Sequence, residues 1–269
     1  MSSPRVDHAA RFRALHDGRA LLVLPNAWDA GSARVIEKAG ARAIATSSAA
    51  VAWGQGYPDG QALPLDALVA TVRAIVRVVD VPVSADVEAA YARDATAAAV
   101  TASRVIDAGG VGINVEDGHD APDLLCAKIE SIKAVARKSG VDLWVNARTD
   151  VYLRGLVPAS AALAEAIARA GRYRGAGADS VFVPGLIEEG EIMRFVAEVP
   201  LPLNVLAWPG LPPAAGLERL GVRRLSAGTA IAQAAYGRTY RAAQAFLGVE
   251  ATEEPTFSVG ELNGLMRID

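Results

Sequence analysis

The sequence predicts an α/β fold: a (β/α)8 TIM-type barrel in a single domain with a C-terminal helical extension. Three observations predict it. Eight short apolar runs, many of them β-branched, alternate with stretches of helical periodicity along most of the 269 residues. Carboxylates, hydroxyls and an arginine recur just past the C-terminal ends of those runs, the rim on which parallel α/β folds place their chemistry. The first strand–helix turn lacks a Gly-x-Gly-x-x-Gly pattern, so the competing doubly wound sheet with a dinucleotide site has no support.

Residues 5–18 read as a polar helix leading into the domain. Ala20-Leu21-Leu22-Val23-Leu24 is the first buried strand, closed by Pro25-Asn26-Ala27-Trp28-Asp29, and residues 30–39 run at helical spacing to a stop at Gly40. Strand two, residues 43–46, is followed by Ser47-Ser48 and the glycine-rich connection 54–60. A helix over 64–79 leads to strand three, residues 81–85, which runs into Asp86-Val87-Glu88. A helix over 94–108 ends at Gly109-Gly110, and strand four, 111–115, delivers Glu116-Asp117. A helix over 125–138 precedes strand five, 143–147, which terminates in Arg148-Thr149-Asp150. Helices over 161–175, 188–199 and 214–220 introduce strands over 180–184, 203–207 and 222–226, and a long helix over 229–247 closes the body. Such alternation implies parallel pairing with right-handed crossovers. The barrel occupies about residues 20–247 of one domain, 1–269, and the tail 248–269 is expected to fold over it or onto a neighbouring subunit.

Composition narrows the function classes. A content of 52% hydrophobic and 21% charged residues implies a large buried core. The net charge of −3 leaves no electrostatic footprint for nucleic acid or an acidic membrane. No stretch approaches the ~18 apolar residues of a membrane span. The start, Met1 to His8, lacks the apolar core of a signal peptide, so the cytoplasm is the expected location. A single cysteine, Cys126, excludes an internal disulfide and a cysteine zinc cage, and reads as a packing thiol.

In a barrel the strand ends converge. Asp29, Ser47, Ser48, Asp59, Asp86, Glu88, Glu116, Asp117, Arg148 and Asp150 then share one face, with Asn204 inside strand seven. An oxygen-rich, cysteine-free ring suits a hard cation that keeps several waters, Mg²⁺ or Mn²⁺. Asp86 and Glu88, two residues apart on a strand, are expected to point the same way and address one ion. Glu116 and Asp117 point oppositely, so one of them faces the centre. An acid just past a strand is also where a helix N-cap sits, and Asp29 fits that role better than a site role. Arg148 suits a substrate carboxylate or an enolate oxygen, or a structural ion pair with Asp150 or Glu116. His119, two residues beyond the acid pair, reads either as a general acid or base or as a solvent-facing loop residue.

Together these segments resemble the isocitrate lyase/phosphoenolpyruvate mutase superfamily over nearly the whole chain. The resemblance is carried by Pro25–Ala33, Ala45-Thr46-Ser47-Ser48-Ala49-Ala50, Gly56-Tyr57-Pro58-Asp59, Asp86-Val87-Glu88, Gly112–Gly118 and Asn146-Ala147-Arg148-Thr149-Asp150. It implies a Mg²⁺-dependent barrel that makes or breaks C–C or P–C bonds beside a carbonyl, through an enolate or oxyanion. By motif, Asp86 is the implied direct metal ligand, while Asp59, Glu88 and Glu116 hold metal-bound waters. Ser47, Ser48 and the backbone at Ala49 are implied to grip the substrate carboxylate, and Arg148 to stabilise the oxyanion. Family members are usually tetramers that exchange C-terminal helices, so a homo-oligomer is expected. The sequence departs from its relatives after Glu116-Asp117. It reads Gly118-His119-Asp120-Ala121-Pro122-Asp123-Leu124-Leu125-Cys126, with neither the Cys-Gly-His gating motif of the lyase branch nor the Lys-x-x-Pro-Lys-x-Asn-like loop of the mutase branch. The expected function is a C–C lyase acting on a small oxo- or hydroxy-carboxylate. The alternatives are a phosphonomutase or phosphonopyruvate hydrolase acting on a P–C bond, and a catalytically silent relative that binds a small carboxylate.

Overall fold

Proline 25 decides how the barrel closes. In the computed structural model, which describes residues 4–249 and 255–267, the first strand is broken at Pro25 into β1 (Leu22–Leu24) and β2 (Asn26–Ala27). Proline has no N–H for a ladder and interrupts the strand there; the half before it pairs toward the last strand and the half after it toward the next. Around the ring follow β3 (Ile44–Thr46), β4 (Val83–Asp86), β5 (Gly112–Glu116), β6 (Trp144–Arg148), β7 (Ser180–Phe182), β8 (Leu203–Leu206) and β9 (Arg224–Ser226). Each pairs in parallel with the next, β2 with β3 and β1 with β9, which closes the barrel expected from the sequence. Residues 1–3, 250–254 and 268–269, at the start and in the tail of the chain, lie outside the described residues.

The helices are α1 (Pro4–Asp17), α2 (Ala30–Lys38), α3 (Ser48–Gly54), α4 (Leu65–Val76), α5 (Ala95–Asp107), α6 (Pro122–Lys138), α7 (Ala159–Ala176), α8 (Glu189–Glu198), α9 (Ala214–Arg219), α10 (Ala230–Phe246) and α11 (Val259–Leu265). Two of these the sequence pattern did not announce. Helix α3 is buried from Ala49 to Trp53, so it has no polar face to set up a periodicity. Helix α11 is short and carries two glycines, although Ser258 and Glu261 form a capping box at its start. Its Leu262 is buried with Ala49, Ala50 and Trp53, so this part of the tail folds over its own barrel. Asp29 is the N-cap of α2, accepting from Ser32 N at 2.6 Å.

Alternation along the strands divides the core in two. Ile113, Val115, Val145 and Ala147 pack outward with Val105, Ile129 and Ile132 of α5 and α6. Each of these valines and isoleucines contributes about 1.5–3 kcal/mol by leaving water. The inward residues Asn114, Asn146, Ser180 and Asn204 are polar and buried. The floor is sealed by α1. A Cβ at Gly112 would lie 2.7 Å from Phe12 Cε1, so only glycine admits the phenylalanine there. His16 stacks on Trp144 with centroids 4.1 Å apart. Burial, with Arg224 nearby, pushes its pKa down to about 3, and the neutral ring bonds the Phe12 carbonyl through Nδ1 at 2.8 Å.

Candidate active site

A chain of hydrogen bonds crosses the barrel and ends on Asp86. Trp144 Nε1 donates to Ser180 Oγ (2.8 Å), and Ser180 Oγ donates to Asn146 Oδ1 (2.6 Å). Asn146 Nδ2 donates to Asn114 Oδ1 (3.0 Å), and Asn114 Nδ2 donates to Asp86 Oδ1 (3.0 Å). A carboxylate only accepts, so the bond to Asp86 fixes the direction of Asn114, then of Asn146, then of Ser180. Asp86 Oδ2 accepts from Ser48 N at 3.1 Å, and Asp86 N donates to Thr46 Oγ1 at 2.8 Å. The carboxylate is thereby oriented from three strands and from the start of α3.

The chain then turns abruptly. Glu88, Ala90 and Tyr91 all lie at positive φ, at 51°, 69° and 52°, conformations that cost a non-glycine residue of order 1 kcal/mol or more each. Three donors hold the turn. Glu116 N reaches Glu88 O (2.9 Å), the buried Lys128 Nζ reaches Ala89 O (2.9 Å), and Thr101 Oγ1 reaches Ala90 O (2.7 Å). Extended alternation ends at Asp86, so Glu88 does not follow it by strand geometry as expected; the left-handed turn sets its direction instead. It remains tied to the cluster, for Glu88 N lies 3.4 Å from Asp86 Oδ1 and Tyr91 OH donates to Glu88 Oε1 at 3.2 Å.

Four carboxyls share one field. Burial, then Asp59, Asp86 and Glu116, push the Glu88 carboxyl up to about 8. Burial and Asp86 raise Asp59, whose Oδ1 is buried without a hydrogen-bond partner. Burial also raises Glu116, with Asp150 and Asp86 adding and Arg148 and Arg154 opposing. Arg148 Nη1 sits 2.9 Å from Glu116 Oε2, though off the axis of a proper hydrogen bond, and Arg148 Nε donates to Asp150 Oδ1 at 2.6 Å. Mutually raised, oxygen-only groups around an oriented carboxylate fit a hard divalent cation. Among the described residues no three His, Cys, Asp or Glu side chains form a direct-ligand cluster. Asp117 is directed elsewhere: its oxygens accept from Asp150 N (2.9 Å), Arg169 Nη1 (2.8 Å) and Tyr173 OH (2.5 Å), a buried tie from β5 to α7.

Beside the carboxyls lies a cavity of about 330 Å³ at the C-terminal rim. Ser47, Ser48, Ala49, Asp59, Asp86 and Arg148 line it. Glu88 and Glu116 do not reach its surface; they act on it through charge. Asn204 also misses the lining, since it is fully buried and accepts from Ser226 Oγ at 3.1 Å. His119 is exposed, its Nε2 lying 3.3 Å from Arg154 Nη1. An apolar wall of Leu153, Phe182, Leu206, Trp208 and Val259 was missed, as was Arg224 on the floor. For Arg224 the signal was available: a charged residue inside the strand run Val222-Arg223-Arg224-Leu225-Ser226.

A parallel barrel that gathers acids and an arginine around one cavity on this face has the layout of the α/β-barrel enzymes. The chain belongs to the phosphoenolpyruvate phosphomutase family, whose model matches residues 12–247, and so to the isocitrate lyase/phosphoenolpyruvate mutase superfamily of lyases and mutases. An uncharacterized protein of Mycobacterium tuberculosis is 36% identical over 222 residues, 81% of each chain. The 2-methylisocitrate lyase of Bacillus subtilis is 30% identical over 211 residues, covering 75% of this chain and 67% of that one. A candidate phosphonomutase from Burkholderia cenocepacia J2315, of known structure, superposes with a TM-score of 0.84 at 36% identity, over 91% of this chain and 99% of that one.

Proposed function

We propose that this protein is a Mg²⁺-dependent carbon–carbon lyase that cleaves a bond next to the carbonyl of a small oxo- or hydroxy-carboxylate. One observation carries the proposal: an oriented Asp86 and the Arg148 guanidinium line the same cavity, with Asp59, Glu88 and Glu116 raised around them. Asp86 would hold the ion directly, with Asp59, Glu88 and Glu116 on its waters; Mn²⁺ fits the same donors. Bound there, the ion supplies Lewis-acid stabilisation of charge on the substrate oxygens.

The chain's own groups do the rest. Ser47 and Ser48, with the Ala49 backbone, receive the carboxylate at the start of α3, although Ser48 N is already engaged by Asp86. Arg148, held by Glu116 and Asp150, is preorganised to meet the oxyanion as it develops. Glu116, raised by burial, carries an exchangeable proton beside it. The apolar wall excludes water from the bond that breaks and accepts the alkyl part of a substrate. Asn204 holds the Ser226 hydroxyl, and His119, beside Arg154 on the exposed loop, is the group placed to act as an acid or base from that side. The protein is proposed to act in the cytoplasm as a homo-oligomer, most simply a tetramer. The supporting feature is the end of α10, where Phe246 is 93% and Leu247 73% exposed.

Oxaloacetate, 2-methylisocitrate, 2,3-dimethylmalate and phosphonopyruvate should be tested with Mg²⁺ and with EDTA. Metal-dependent cleavage of one of the three C–C substrates is expected. Turnover of phosphonopyruvate alone would place the protein with the P–C enzymes, and ligand binding without any turnover would make it a silent carboxylate-binding relative.

A further inference from the structure

Arg224 stands on the floor of the cavity as a buried cation without a counter-ion. It is 3% exposed, and among the described residues no carboxylate lies within ion-pair distance of it. Its one hydrogen bond among those residues runs from Nε to Ser226 Oγ at 3.3 Å, and Nη1 is buried with no partner. A guanidinium has five donors and stays protonated in a protein. Burial weakens it, and Asp86 is the one charge that opposes the effect. Such a group is costly to hold in a protein interior unless something anionic meets it.

Packing does not supply that something. Its register neighbours are Leu22 and Asn204, and His16 below is neutral. Toward the cavity its Nε meets the Ser226 hydroxyl. Ser84 and Ser226 line the same floor, and Ser84 Oγ is also buried without a partner. Ser84 sits two residues before Asp86 on β4, so both face the barrel interior. A fork-shaped cation with an unpartnered Nη1, lining one cavity with an unpartnered hydroxyl, matches a carboxylate in geometry and charge.

We infer that Arg224, held at Nε by Ser226, forms with Ser84 a second anion subsite that binds the distal carboxylate of a dicarboxylate substrate. This rests on the proposed function, in which Asp86, Ser47 and Arg148 take the reacting end. The cavity then holds two anionic ends, one at the rim and one at the floor, with the apolar wall beside the carbons between them. Substrates that lack the distal carboxylate leave the guanidinium unpaired and bind weakly.

The test uses calorimetric titration of the Mg²⁺-loaded protein with three ligands. Oxalate reads the reacting end. Malate and 2-hydroxybutyrate differ in whether the far end is a carboxylate or a methyl group. In the wild type, malate is expected to bind at least ~30-fold more tightly than 2-hydroxybutyrate, the scale of a buried charge pair. In Arg224→Gln the two are expected to converge while oxalate affinity is unchanged. Arg224→Lys, which keeps the charge without the fork, is expected to retain part of the preference, and it serves if the glutamine variant does not fold. Oxalate binding with no malate preference in the wild type overturns the subsite and leaves the proposed function standing. A malate preference that survives in Arg224→Gln overturns the subsite in the same way. Failure of oxalate to bind the wild type overturns the proposed function and the subsite with it.

Discussion

Binding of Mg²⁺ at pH 7 should expel about one proton from the protein. In the metal-free molecule the Glu88 carboxyl titrates at about 8, because it is buried and faces Asp59, Asp86 and Glu116. At pH 7 roughly nine molecules in ten therefore carry a proton there. A divalent ion seated on Asp86 reverses the local field and favours the carboxylate, so that proton leaves. Glu116 is raised by burial, with Asp150 and Asp86 adding to the effect, and contributes in the same direction. The expected release is about one proton per Mg²⁺, approaching two if both groups discharge, and falling toward zero near pH ~9. Calorimetric titration of Mg²⁺ in buffers of different ionisation enthalpy reads the number directly from the dependence of heat on buffer. Heats that do not change with buffer at pH 7 would show that the raised carboxyls do not face the ion. The cluster would then be structural.

Other consequences follow from the same geometry. In EDTA, stability should fall as pH rises, since Glu88 is protonated in the folded state up to about 8 but only up to its ordinary 4.5 when unfolded. Between pH 6.5 and 8 the loss from Glu88 should be about 1–2 kcal/mol by urea denaturation, offset by about 0.4 kcal/mol from His16, which is neutral in the fold but half protonated at pH 6.5 once unfolded. Lys128→Met leaves the Ala89 carbonyl unpaired beneath the strained turn and should cost about 1–3 kcal/mol in the same assay. Asn114→Leu cuts the hydrogen-bond chain at its last link and should weaken Mg²⁺ by about 10–100-fold, by titration, as loss of a ligand's orienting partner does.

Much of this molecule is legible in its sequence because a parallel barrel repeats one simple signal. Most strands buried on their outer face read as a short apolar run, and most helices end at a glycine or proline. The register of the chemistry is legible for the same reason: the rim is where the strand run stops, which is how Ser47, Asp86, Glu116 and Arg148 stand out. What escaped has physical causes. Helix α3 is apolar on all sides and shows no periodicity. The direction of Glu88 depends on a left-handed turn pinned by Thr101, Lys128 and Glu116, residues 13, 40 and 28 positions further along the chain. Val259 joins the cavity wall only because α11 folds back across α3, a contact that no local pattern encodes. Asn204 and Ser226 differ by one layer of the barrel, enough to put one on the lining and the other beneath it.

Oxalate, a flat dianion shaped like an enolate next to a carboxylate, is the sharpest probe of a metal held by Asp86 at the head of the cavity. Its affinity should be measured for the wild type and Asp86→Asn, with Mg²⁺ and with EDTA. Binding to the wild type is expected only when Mg²⁺ is present, and that binding is expected to be lost in Asp86→Asn with the fold retained. Oxalate bound equally well in EDTA, or unaffected by loss of the Asp86 charge, would contradict a metal-centred site.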